Sequence, residues 1–510
     1  MTSAIPLHEQ PEIHHRRWFL LGVMCLSLVM VVMSVSGINV ALPSIQQSLD
    51  ANATDLQWIV DSYAIVFAGL LLTAGSIGDR FGRKLALTGG LVVFAAGSLV
   101  GALADTSNMV IVARAISGIG AAFVMPATLS LITTIFAPAE RSKAIAIWAG
   151  FAGAGGALGP LIVGFLLTGW WVFPSFWWGS AFVLNVVASI AVLIVVSVWS
   201  PDSRDDDVSP LDPIGAALSL VGLGALLYGI IEGPDRGWTD SGVVGAFVLA
   251  VTGLGAFMWW ELRTEHPMLP LHFFRSRPFS TGTGIITFGF MVMFGFFFLI
   301  TQYFQFVRGF SPLKAGAAIL PFSFTMITVS PRSAGLVHRF GLNGVVAVGF
   351  SSMSMGFLVL ALMSPDTSYL IVVVALVLLA AGMATTIAPA TGAIMSSVPV
   401  NKAGVGSAVN DTTRELGGSL GIAILGSIVA ASYRSSFDPA GLSGAAADTA
   451  VESIGGAIRV GRSMTSGGPE LVTRAGVAFT DAVNVAFAAS AVITVIAGSL
   501  VLAAGRRSEH

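Results

Sequence analysis

Residues 75–84 read GSIGDRFGRK, three glycines and four charged residues set between two long apolar runs. Such charge is conspicuous here, because Asp, Glu, Lys and Arg make up only 10% of the 510 residues while 55% are hydrophobic. The run before the stretch covers about 57–78 and the run after it about 85–104. At 1.5 Å per helical residue, each is long enough to cross a hydrocarbon core of about 30 Å. A charged turn between two membrane-crossing helices therefore sets the reading of everything around it. The mean hydropathy of +0.85 agrees. The bulk of the chain belongs to an all-α membrane unit and not to several soluble domains.

Read outward from this turn, apolar runs broken by polar, Gly and Pro residues predict fourteen spans. They fall near 18–42, 57–78, 85–104, 109–135, 143–168, 176–199, 211–231, 241–262, 278–304, 314–337, 344–363, 368–394, 404–432 and 479–504. The turn itself recurs: GSIGDRFG at 75–82 is echoed by AGLVHRFG at 334–341, an offset of 259 residues. The same offset carries the start of the first span onto residue 277, next to the start of the ninth. Six helices are thus expected twice, in a bundle over 18–199 and another over 278–504. Between them, residues 200–277 supply an acidic linker, SPDSRDDDVSPLDP at 200–213, and two inserted spans. Residues 1–17 and 505–510 are tails, and 433–478 is a long loop before the last span, with Val451, Ile454 and Ile458 spaced as on an amphipathic interfacial helix. Two repeated bundles are how many secondary transporters place a site at the bilayer midplane.

Sidedness follows from basic residues in the short loops. With the N-terminus inside, sixteen of the 25 Lys and Arg fall on the cytoplasmic side and seven on the other, four of those seven in the long loop. Both termini are expected in the cytosol of a cell whose cytoplasmic membrane holds the protein. The first span runs unbroken from Trp18 to about Leu42, too long for a signal-peptide core. A net charge of -2 without a basic block gives no reason to expect nucleic acid. No Gly-rich phosphate loop is present, so ATP is not the expected energy source. The histidines form no metal-ligand cluster, and the one cysteine, Cys25, reads as packing. Neither an enzyme constellation nor a cofactor is expected.

The motif at 75–84 resembles the loop signature of the major facilitator superfamily. In it Gly82 permits the turn, Gly75 and Gly78 permit close helix contact, and Asp79, flanked by Arg80 and Arg83, can accept from amides at a helix N-terminus. VARAISGIGAAFVMP at 112–126 resembles that family's fourth-helix motif with its buried arginine, here Arg114. GGALGPLIVG at 155–164 resembles its antiporter motif, with Gly155, Gly159, Pro160 and Gly164 letting backbones approach and bend at a rocking interface; plain small-residue packing is the other reading. Fourteen spans, LQWIVDSYAIVFAGLLL at 56–72 and SAVNDTTREL at 407–416 narrow the resemblance to the fourteen-helix drug:proton antiporter branch, close to exporters of quaternary ammonium and fluoroquinolone compounds.

The thirteenth span carries an unusual cluster: Asp411, Arg414 and Glu415. Counting from Lys402, the two acids lie roughly 13 and 20 Å along the helix, on one face. Ionisable groups so deep normally face a cavity or a partner. Two readings stand. In one, a carboxylate exchanges a proton for a cationic drug, with Glu415 favoured, Asp411 second and Arg414 as tuner. In the other, Arg414 pairs with Asp411 and the cluster is a self-neutralised structural element. The branch resemblance implies that acids at these two positions recognise cations. It also marks Asp61, near the outer mouth of the second span, where a water-exposed helix end is the competing account.

One position departs from the branch. Many relatives have an acid in the first helix where this sequence has Ser34, which leaves Arg114 without an evident partner. His338 stands where the second turn's Asp would be. Candidate cavity-lining aromatics are Trp58, Tyr63, Trp148 and Phe294, since a cation over such a ring gains about 0.5 to 2 kcal/mol. The expectation is a secondary active transporter of the multidrug efflux kind, exchanging inward protons for amphipathic cations through alternating access. Its partners are protons, the small-molecule substrate and the bilayer, and proton motive force takes the place of a cofactor. A dedicated exporter of one endogenous metabolite or lipid, or a non-transporting scaffold or sensor, are the alternatives.

Overall fold

The computed structural model describes residues 7–51, 53–168, 177–203, 212–439, 441–464 and 466–506. Most of the acidic linker and both ends of the tails lie outside the described residues. The first six long helices are α1 (Pro11–Leu49), α2 (Ala53–Phe81), α3 (Arg83–Ala102), α4 (Ser107–Ile135), α5 (Pro138–Thr168) and α6 (Ser180–Trp199). A hairpin of α7 (Pro213–Arg236) and α8 (Ser241–Glu261) follows. The rest comprises α9 (Arg277–Gln302), α10 (Pro312–Ala318), α11 (Leu320–Phe340), α12 (Leu342–Leu360), α13 (Tyr369–Ser396), α14 (Ala403–Ser436), the short α15 (Ala445–Glu452) and α16 (Ile454–Ser463), and α17 (Gly468–Arg506). Fourteen segments among the described residues are long and apolar enough to cross a membrane, α10 and α11 forming one of them. An even number of crossings returns the chain to the face on which it began, called here the terminal face.

The repeated motif has a backbone cause. Gly82 and Gly341, 259 positions apart, have φ of +112° and +75°, and each ends one helix and caps the next. Both lie where a side chain would be strained, so glycine at the same place in each half makes the same tight helix-to-helix turn. Side-chain caps start other helices: Thr106 for α4, Asp212 for α7, Asp240 for α8 and Ser311 for α10 each accept from an otherwise orphan amide.

Hydrophobic packing falls into large clusters. One draws mostly on α1–α6 and includes Tyr63, Phe94, Phe136 and Trp148. Another draws mostly on α9–α17, around Phe296, Phe322, Phe357 and Phe487. Ala388, Met395 and Ala403 from α13 and α14 join the first cluster, so the two halves meet in a shared apolar contact. The α7–α8 hairpin lies against α2, where a Cβ on Gly69 would meet Leu220.

Three boundaries differ from the sequence expectation. α1 starts at Pro11, proline being tolerated at the first helical position, and Arg17 pairs with Glu140 at 2.8 Å. α17 starts at Gly468, eleven residues ahead of the apolar run, because Leu471, Ala475 and Ala478 are buried there. Val451, Ile454 and Ile458 do not form one interfacial helix. Ser453, with φ of -160°, separates α15 from α16, and all three side chains pack against the second cluster.

Candidate functional site

The charged turn of α14 lies above ten consecutive buried residues, Ala403 to Thr412, at the terminal-face end of the helix. Asp411 is fully buried. Its Oδ1 accepts from Asn410 Nδ2 at 3.2 Å and lies 3.6 Å from Arg414 Nη1, while Oδ2 has no hydrogen-bond partner. Asn410 is in turn held by the Thr391 hydroxyl of α13 at 2.9 Å. Arg414 also donates to Glu415 Oε1, through Nη2 at 3.0 Å and Nε at 3.3 Å. The guanidinium lies 5.8 Å from the Phe290 ring centre on α9.

Arg414 is therefore shared, and its closer contact is with Glu415 and not with Asp411 as the i, i+3 spacing suggested. Of the two acids, Glu415 is the one that is partly open, its side chain 16% exposed. One cation between two carboxylates leaves a net negative charge in a low-dielectric setting, where ionised groups are expensive unless paired. Both acids therefore draw on the same guanidinium, Glu415 at 3.0 Å and Asp411 at 3.6 Å.

Close packing fixes where this turn faces. A Cβ on Gly417 would collide with the Thr287 carbonyl of α9, one on Gly421 with the Met291 carbonyl, and one on Gly418 with the Phe294 ring. Phe294 thus covers α14 one turn beyond Arg414, edge-on to Phe290 at 5.6 Å.

Tyr63 of α2 is wholly buried, and its hydroxyl has no hydrogen-bond partner. Its ring is covered by the Arg114 guanidinium at 4.2 Å and stacks on Phe67 at 5.7 Å. Tyr63 is thus packed between the buried arginine of α4 and Phe67, not an open cavity wall. Arg114, 1% exposed, donates to the Ile59 carbonyl at 2.9 Å and to Ser34 O and Oγ at 3.3 and 3.1 Å. Ser34 meets the guanidinium through neutral oxygens and brings no negative charge. Asp61 is 6% exposed, so the reading of a water-exposed helix end does not hold for it.

The loop motif forms a clasp between the halves. Asp79 accepts the amides of Gly404 at 2.9 Å and Val405 at 3.1 Å, at the N-terminus of α14. Arg83 donates to Asp79 at 3.1 Å and to the Val400 carbonyl at 2.5 Å. These are the unsatisfied donors of a helix start meeting an anion. Gly75 permits the approach: a Cβ there would lie 2.5 Å from Gly404 O and 2.7 Å from Ala408 Cβ. Gly78 faces a different helix, its nearest neighbour being Ala86 of α3 at 3.4 Å. Arg80 lies against the Phe81 ring. At the matching position of the second half, His338 is exposed.

The glycine motif of α5 divides its contacts. Gly155 and Gly159 face α1 within the first half, at Val32 and at Met33, Ser36 and Gly37. Pro160 and Gly164 lie against Gly316 and Leu313 of α10 in the second half. The small residues of α5 thus let backbones approach on two sides, toward α1 and toward α10. Nearer the terminal face Ser330 of α11 donates to the Ala146 carbonyl at 2.5 Å.

Two aromatic expectations also change. Trp148 is 2% exposed and donates to Thr128 Oγ1 at 3.3 Å, a core residue between α5 and α4. Trp58 faces Tyr228 of the inserted hairpin, with ring centres 6.1 Å apart. Phe290, Asn410 and Thr391 were not singled out from sequence. Asn410 adjoins the charged cluster in SAVNDTTREL and was legible there, whereas Phe290 and Thr391 carry no local signal.

Comparison with known proteins gives a consistent result. The family profile described as Major Facilitator Superfamily matches residues 24–422. The chain is 32% identical over 495 residues to the multidrug efflux pump LfrA of Mycolicibacterium smegmatis, covering 96% of this chain and 97% of that one. It is 32% identical over 457 residues to the methyl viologen resistance protein SmvA of Salmonella typhimurium, covering 88% and 90%. In fold it is similar to the crystal structure of the human organic anion transporter MFSD10, with a TM-score of 0.60, 14% identity and coverage of 95% and 100%.

Proposed function

This chain belongs to the Major Facilitator Superfamily, and from that premise we propose that it exports amphipathic cationic drugs across the cytoplasmic membrane in exchange for protons. The observation that carries the reading is Arg414 shared between Asp411 and Glu415. A cationic drug or a proton at Glu415 competes with Arg414 for the same oxygens. Whichever arrives releases Arg414 toward Asp411, so the two ligands exclude each other, which is the requirement for exchange. Similarity to proteins named for multidrug efflux and for methyl viologen resistance supports the substrate class, methyl viologen being a cation.

The terminal face is the cytosolic one in this reading, because most Lys and Arg of the short loops lie there. The Asp79 clasp then closes the cytosolic side, and Glu415 is reached from the opposite face. Alternating access requires the clasp to open while the contacts on the far side close. The membrane potential supplies about 2.3 kcal/mol per 100 mV for each inward proton, so ATP is not needed. This is transport and not enzyme chemistry.

The test uses purified protein in vesicles with a trapped pH dye and an imposed proton gradient. Ethidium or a quaternary ammonium compound is added to wild type and to Glu415→Gln. Substrate-triggered proton release that is lost in the variant is the expected result. Release that survives moves coupling to Asp411 or Asp61, and no release with any cation removes the multidrug reading. A dedicated exporter of one endogenous molecule is the second reading, favoured by Ser34 standing where an acid would complete a proton-titrating pair with Arg114.

A further inference from the structure

The first half holds a buried positive charge that the exchange reading leaves unbalanced. Arg114 keeps its proton at any physiological pH, and none of the ion pairs among the described residues includes it. Its Nε and Nη1 are satisfied by carbonyls and the Ser34 hydroxyl, all neutral, and Nη2 has no hydrogen-bond partner. Dipoles satisfy hydrogen bonds without cancelling charge, and an uncompensated ion in a low-dielectric interior is strongly unfavourable.

Beside the guanidinium lies a cavity with room for one small species, bounded by Met33, Ser34, Arg114, Val163, Phe182 and Asn185. Ser34 and Asn185 are both buried, and each offers an uncharged donor. A cationic group, two neutral donors, apolar walls and no carboxylate form a setting that fits an anion. The space excludes a drug-sized molecule, so this site is separate from the α14 turn.

We propose that the cavity between α1, α4, α5 and α6 binds a small inorganic monovalent anion of the halide class, which neutralises Arg114. The anion takes the part of the side chain that Ser34 lacks. Bound there, it stabilises the first half and keeps Arg114 seated over Tyr63, whose ring stacks on Phe67.

The experiment measures thermal unfolding of the full-length purified protein in chloride, bromide or gluconate at constant ionic strength. Wild type is expected to gain a saturable rise in Tm with either halide and none with gluconate. Ser34→Asp places a carboxylate beside Nη1. It is expected to be as stable in gluconate as wild type is in chloride, and to lose the halide response. Should that variant fail to fold, Asn185→Leu, which fills the cavity with apolar volume, is expected to abolish the same response. An equal wild-type Tm in chloride and gluconate, or a halide shift unchanged in the folded variant, overturns the proposal. The readout does not involve transport, so either outcome leaves the exchange reading to its own test.

Discussion

Replacing Asp79 with Asn should unlatch the two halves at the terminal face. The carboxylate accepts two α14 amides, one on each oxygen, as well as Arg83 on Oδ1. Asparagine retains one acceptor, turns an amide donor toward the other backbone N–H and removes the charge that pairs with Arg83 and the helix N-terminus. A hydrogen bond to a charged group contributes about 1.5 to 3 kcal/mol, and a partly buried helix-terminus charge up to about 2. Because part of this is regained by hydration when the clasp opens, we expect a net loss of about 3 kcal/mol, roughly a 100-fold shift toward the open form. The assay is a spin-label distance measurement between Leu85 and Val400, exposed positions in the first and second halves, in a Cys25→Ala background. Asp79→Asn should add a longer-distance population at the expense of the short one. Coincident distance distributions in the two proteins would refute the clasp as the element that holds this face closed.

The packing assignments carry their own tests. Trp148→Phe removes the hydrogen bond to Thr128 and part of a buried ring, so it should cost about 1 to 2 kcal/mol of stability and leave the substrate concentration for half-maximal transport unchanged; a large change in that concentration would restore Trp148 to the cavity wall. Gly159→Val should lower Tm by an amount corresponding to about 1 to 3 kcal/mol, because its Cβ would meet the Gly37 N and Met33 O backbone atoms at 2.9 Å. The neighbouring Gly156→Ala, with nothing within 4 Å, should instead be neutral or stabilise the helix by up to about 1 kcal/mol.

Why the charged turn of α14 reads differently in three dimensions is a matter of reach. Sequence spacing places Asp411 and Arg414 one turn apart and invites a pair, yet a guanidinium has five donors on a long stem and can serve two acids. The choice depends on what holds each acid. Asn410 occupies Asp411, and Thr391, nineteen positions earlier, holds Asn410.

The sequence by itself determined the membrane class, the fourteen spans and the repeated turn, because these rest on local quantities. A run of about twenty apolar residues cannot stay in water, and glycine at 82 and 341 serves a backbone conformation that other residues resist. It also marked Asp79, Arg114 and the acids of α14 as groups too costly to bury without purpose. Only the tertiary structure decided what each of them meets. Asp79 finds amides 325 and 326 positions away, Arg114 finds Ser34 and the Tyr63 ring, and Trp148 turns into the core. Burial cost is a property of a residue and its depth, whereas partnership is set by how helices far apart in the chain are packed, and no local pattern encodes that.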